Sequence, residues 1–186
     1  MKIIDKFIKI IKKENKSMKI SSGNNKVELF ELGLTEEEKQ YVRPKFKNYF
    51  LLNGKRIEVL DEIWKIEIVD QTFLVLFFGN NIQTAKKRGY EYGRNIWAFN
   101  EQGEKLWEIE GAVESVVRQR IEKEGFPRER FYKDGVLRAG YDTYVALGQG
   151  KSGTEYEGRV GAGTFGGFSG EVDIKTGKVS NWIQGK

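Results

Sequence analysis

The chain has 186 residues, a formal net charge of +5, and neither cysteine nor histidine. That length suits one domain with a sizeable core and is short for two. Without histidine or cysteine, disulfides, Ser-His-Asp and Cys-His nucleophile systems and histidine or thiolate metal sites are excluded together; carboxylate, lysine, tyrosine or a carboxylate-bound magnesium or calcium remain for any catalysis.

The positive charge is local. Lys2, Lys6, Lys9, Lys12, Lys13, Lys16 and Lys19 face only Asp5 and Glu14 in residues 1–20, whereas the rest of the chain is balanced. A basic partner-seeking surface is therefore not implied for the main body. Ile3, Ile4, Phe7, Ile8 and Ile11 recur at helical spacing, so residues 1–20 read as an amphipathic N-terminal helix. Such a helix docks its isoleucine face on its own domain or lies on an anionic membrane surface through Lys2 to Lys19. No apolar run approaches the roughly 20 residues of a membrane span, and no signal-peptide core is present, so a cytoplasmic location is expected. SSGNNK at 21–26 reads as a loop or linker, and residues 27–186 as a single mainly β domain.

Within that domain LTEEEKQYV predicts a short helix, opened by the Thr35/Glu38 capping box and stopped before Pro44. Asn53-Gly54 between apolar runs predicts a hairpin turn, and IWKIEIVD alternates as a strand with one buried face. TFLVLFFG is apolar throughout and is expected to be a central core strand. A long polar connection, GNNIQTAKKRGYEYG, leads to a hairpin of RNIWAFN and KLWEIE, with Trp97, Phe99 and Trp107 as packing residues. VESVVRQRIEKEGF reads as a short helix with Val113, Val116, Val117 and Ile121 inward, and GEVDIKTGKVSNWI as a final hairpin turning at Thr176-Gly177. The total is seven to nine strands in antiparallel meanders with one or two short peripheral helices, a β-rich α+β class.

The stretch LGQGKSGTEYEGRVGAGTFGGFSG, 147–170, matches G-x-G-x-x-G twice, from Gly148 and from Gly161. A dinucleotide fingerprint needs a helix directly after the motif, and the glycines at 158, 161, 163, 166, 167 and 170 forbid one. Gly150-Lys151-Ser152 is not a phosphate loop either, because the required first glycine is Val145. No nucleotide and no other cofactor is expected. The first part reads as a mobile loop able to form the rim of a partner site. The second reads as a strand whose glycines allow close packing under Tyr156, Phe165 and Phe168.

Two hairpins share an order of apolar strand, Asn or Asp, glycine turn and tryptophan: Trp97, Asn100 to Gly103 and Trp107, then Val172-Asp173, Thr176-Gly177 and Trp182. This resembles the blade hairpins of pyrroloquinoline-quinone-type β-propellers. The broader layout is similar to small bacterial β-meander proteins, some of which resemble toxin-immunity proteins. The resemblance implies a partly propeller-like fold and, functionally, a toxin-neutralising protein; it carries over no quinone site.

Basic and aromatic residues at Arg118, Arg120, Arg128 and Arg130, with Phe126 and Phe131, are interleaved with Glu122, Glu124 and Glu129, which disfavours nucleic acid. Glu108, Glu110, Glu155, Glu157, Glu171 and Asp173 are the candidates for a carboxylate pair in a glycan-directed enzyme, the rival to binding. No calcium loop is present, so no metal ligand is assigned. The favoured expectation is a non-catalytic module that binds a protein through Lys86, Lys87, Arg88, Tyr90, Tyr92 and Arg94, with Tyr156 adding an aromatic anchor.

Overall fold

TFLVLF is buried at every position after Thr72, which requires apolar layers on both of its faces. In the computed structural model, which describes residues 17–40, 46–78, 93–133, 136–137, 143–150 and 159–184, both layers are present. Phe73, Val75 and Phe77 join one core cluster, and Leu74 and Leu76 a second on the opposite face. Successive side chains of a strand point to opposite sides, so this single strand ties the two cores together.

The first core lies inside a large antiparallel sheet. Its strands are β1 (Ser17–Ser22), β2 (Asn25–Glu31), β3 (Phe46–Leu52), β4 (Lys55–Glu58), β5 (Ile63–Val69), β6 (Thr72–Phe77), β7 (Ile96–Phe99) and β8 (Lys105–Glu108). They follow one another in the order β1-β2-β3-β5-β6-β7-β8, with β4 beside β3. Asn53 and Gly54 take positive φ at the β3–β4 turn, the conformation that an Asn-Gly hairpin demands. The sheet curls until its far turn reaches its first strands. Asn25 donates to Glu101 at 2.5 Å, and Lys55 to the Gln102 carbonyl at 2.7 Å. No β1–β8 pairing closes it.

The second core lies between β6–β7 and a smaller sheet made of β11 (Tyr144–Gln149), β12 (Val160–Thr164), β13 (Phe168–Val172) and β14 (Val179–Gln184), in that order and antiparallel throughout. Two-residue strands β9 (Tyr132–Lys133) and β10 (Val136–Leu137) pair with each other. The ring of Tyr144 stacks on that of Trp182 at 6.2 Å, and both are buried. Helix α1 (Ala112–Glu122) packs along β14.

Both edges of the small sheet are closed by side-chain amides. On the β11 side, Asn95 is 1% exposed; its amide donates to the carbonyls of Phe77 and Tyr144, both at 2.8 Å. Its oxygen accepts from Tyr144 N–H at 3.1 Å and Thr143 Oγ1 at 3.0 Å, so both donors and both lone pairs are used. On the β14 side, Gln119 accepts from Trp182 N–H at 2.9 Å and donates to the Trp182 carbonyl at 3.4 Å. Each carboxamide thus grips the N–H and C=O of one residue, as a neighbouring strand would.

Several expectations are corrected. The N-terminal helix does not extend over 17–20, because those residues form β1; residues 1–16 lie outside the described part. The one helix of seven or more residues among the described residues is α1, in the middle of the chain. SSGNNK is not a linker but the β1–β2 turn with its flanks. The propeller-like description is overturned as well, since one curled sheet and one four-stranded sheet pack face to face and neither forms part of a closed ring. Fourteen strands are described where seven to nine were expected. The Thr35/Glu38 capping box forms reciprocally, at 2.9 and 3.2 Å, but it opens only a 3-10 turn over Glu38–Gln40.

Asn95→Ala should cost about 3 kcal/mol or more, because it strands several buried backbone and hydroxyl groups at once. Denaturant titration measures this, and a loss within about 0.5 kcal/mol would contradict the edge-closing role.

Candidate functional site

The outer face of the small sheet is nearly bare of side chains. Alternation turns Leu147, Val160, Ala162, Val172 and Trp182 into the core and leaves Ala146, Gly148, Gly161, Gly163 and Ser169 outside. The result is an open trough of about 800 Å³ floored by β11–β13 and walled by Gln149, Arg159, Glu171, Asn181 and Ile183. Ile183, at the wall of the trough, is 59% exposed, and Phe165, in the β12–β13 turn away from its lining, is 82% exposed. Exposed apolar groups around a depression mark interaction sites more often than scattered surface residues do.

Glycine is costly inside a strand, so each one here needs a reason. Gly170 has a packing reason: a Cβ there would lie 2.6 Å from Val179 Cγ1 and 3.0 Å from Trp182. Gly163 has a partial one, with Ala146 Cβ at 3.3 Å. Gly148 and Gly161 sit opposite each other in the ladder and have none. A Cβ on Gly161 would meet nothing nearer than two carbonyl oxygens at 3.9 Å, and one on Gly148 nothing nearer than Lys65 Nζ at 3.8 Å. Neither has positive φ. Their small size keeps backbone open to whatever enters the trough.

The polar wall is a held constellation. Glu171 accepts from Arg159 Nη1 at 2.5 Å and from Asn181 Nδ2 at 2.9 Å, and Lys123 Nζ donates to Asn181 Oδ1 at 3.2 Å. The hydrogen bonds from Asn181 and Arg159 hold the Glu171 carboxyl below the usual glutamate range, so it is ionised near neutrality. Asp173 is likewise lowered, by the Lys175 N–H and the Thr176 hydroxyl that it accepts in its turn.

A second constellation joins the end of β8 to α1 and β14. Glu110 receives Arg118 Nε and Nη2, both at 2.9 Å, and Val179 N–H at 3.3 Å. Burial alone would raise the Glu110 pKa, but the Arg118 and Val179 bonds outweigh it and the value is lowered. Arg118 is raised in turn, chiefly by its bonds to Glu110. A general acid needs a raised carboxyl, the opposite of what Glu110, Glu171 and Asp173 have. Glu108 is engaged by Lys105 at 2.6 Å, while Glu155 and Glu157 lie outside the described residues. No group of three or more acidic side chains able to hold a metal ion occurs among the described residues.

Of the expected partner-binding residues, Lys86, Lys87, Arg88, Tyr90, Tyr92 and Tyr156 lie outside the described part. Arg94 is described and pairs with Glu114 of α1 at 2.9 Å. The basic-aromatic group is engaged internally: Arg130 lies over the Phe126 ring at 4.7 Å, and Phe126 meets Phe131 edge-on. Phe168, expected over the glycines, packs inward on the second core. The trough itself has one signal in the sequence that the motif reading passes over: Gly161 and Gly163 stand two apart and so share a face.

Opposite stability changes should separate the two kinds of glycine. Gly161→Ala should gain about 0.5–1 kcal/mol by restricting the unfolded chain, whereas Gly170→Ala should lose about 1–3 kcal/mol by overpacking. Because the folded pKa of Glu110 is depressed, its stabilisation is present above the unfolded value and lost as pH falls through the folded one. Glu110→Gln should therefore flatten the decline in stability below about pH 4.3, measured by urea unfolding across pH. No family model, curated protein or solved structure matches this chain, so its own geometry carries the functional reading.

Proposed function

We propose that the chain is a non-catalytic protein-binding module whose partner docks on the outer face of β11–β14. The observation that carries this reading is the facing pair Gly148 and Gly161. Both are glycines inside strands, and packing explains neither. A partner side chain laid across them can touch backbone directly, with Ile183 and the Arg159–Glu171 pair at its sides. An apolar floor with a few fixed polar groups at its margin is the ordinary composition of a protein-docking surface. The toxin-neutralising role implied by the resemblance of the broader layout is the concrete form of this proposal. No helix among the described residues is long and apolar enough to cross a membrane.

Filling the trough should separate binding from folding. Gly161→Leu adds bulk where a Cβ is unopposed, so it should leave the melting temperature near that of the parent and reduce capture of the specific host partner by tenfold or more, roughly 1.4 kcal/mol. Affinity capture from the native host, quantified by mass spectrometry beside a surface control such as Lys47→Ala, makes the comparison. Undiminished capture by a folded Gly161→Leu protein refutes the docking face.

A further inference from the structure

The last strand, β14, reads VSNWIQ: six residues with no charge and no proline, three of them Val, Trp and Ile. It is also the terminal strand of its sheet. Exposed edges of this composition pair with other chains, and proteins ordinarily guard them with lysine, proline or a short length. β14 has none of these guards in its own sequence. The guard comes from elsewhere in the chain.

Asn181, at φ 53°, is a bulge residue that brings Val179 and Trp182 to the same free side of the strand. All four of their backbone groups are taken by side chains. Val179 N–H donates to Glu110 Oε2 at 3.3 Å, and the Val179 carbonyl accepts from Ser115 Oγ at 2.7 Å and Arg118 Nη2 at 2.8 Å. Gln119 takes the N–H and the carbonyl of Trp182. The helix that supplies most of these groups buries only Ala112, Ser115 and Val117, and its N-cap, Gly111, makes no side-chain cap. α1 is thus held to the edge by these polar bonds together with the packing of Ala112 and Val116 on the second core and the burial of Val117.

We propose that α1 is a guard for the β14 edge, and that releasing it opens β14 to antiparallel pairing with β14 of a second copy of this chain. The second copy is the fitting occupant because the edge is self-complementary. About a two-fold axis between positions 180 and 181, Val179 of one copy faces Trp182 of the other, so the two edge-facing residues of each copy exchange their N–H and C=O groups. No charge within β14 opposes the approach. The symmetric closed pair limits assembly to a dimer.

The test is the triple variant Ser115→Ala, Arg118→Ala, Gln119→Ala in the full chain, followed by sedimentation equilibrium and amide hydrogen exchange. The expected result is a concentration-dependent rise toward twice the mass of the wild type, with the Trp182 amide, freed of Gln119, protected in the dimer. Adding Ile183→Lys, which sets a lysine against Lys178 of the second copy, should return the protein to the wild-type mass. A triple variant that keeps the wild-type mass while the Trp182 amide exchanges freely overturns the proposal, as does a dimer unaffected by Ile183→Lys. If the triple variant loses its near-ultraviolet dichroism, Gln119→Ala alone, which uncovers only Trp182, is carried through the same measurements. A dimer that Ile183→Lys dissociates then supports the proposal, and a protein of wild-type mass with a freely exchanging Trp182 amide overturns it.

Discussion

Two side-chain carboxamides hold the small sheet in place by imitating strands. A β-sheet that ends inside a protein leaves a column of N–H and C=O groups that must find partners, and water is absent at a buried edge. Asn95 meets this requirement for Tyr144 and Gln119 meets it for Trp182. The two gripped residues stack on each other in the core between the sheets. The small sheet is therefore tied by directed hydrogen bonds to the large sheet through Asn95 and to α1 through Gln119, and apolar packing fills the space between the sheets.

That arrangement decides which surface of the small sheet is available. Its inner face is core, and on its two edges Tyr144 and Trp182 are gripped by amides. What remains is the outer face, where the chain accepts the cost of glycine in strand interiors. Natural sequences break local propensity where something other than stability is being served. Packing explains Gly170, since Val179 and Trp182 fill the place of its missing side chain, and does not explain Gly148 or Gly161.

The sequence is most legible where the determining contacts are local. Asn53-Gly54, the capping box and the double-sided burial of TFLVLF are each specified by a few adjacent residues, and each forms. Residues 17–20 read as the end of a helix whose periodic apolar residues all lie between Ile3 and Ile11; pairing with β2, a tertiary event, makes them a strand. Asn95 and Gln119 carry no local signal, since their partners are 49 and 63 positions away. The alternation of Gly161 and Gly163 is visible, but which face they occupy depends on where Val160 and Ala162 find a core.

The order of the elements along the chain has a further consequence. Neighbouring strands in both sheets are joined almost entirely in sequence order, so hairpins can form one after another as the chain leaves the ribosome. Glu110 and α1 are made well before β14, whose bonds to them span 61 to 69 positions. The uncharged strand VSNWIQ therefore emerges after the groups that cover its edge have been synthesised. If α1 guards β14 as proposed, this order of synthesis supplies the guard before the edge it covers.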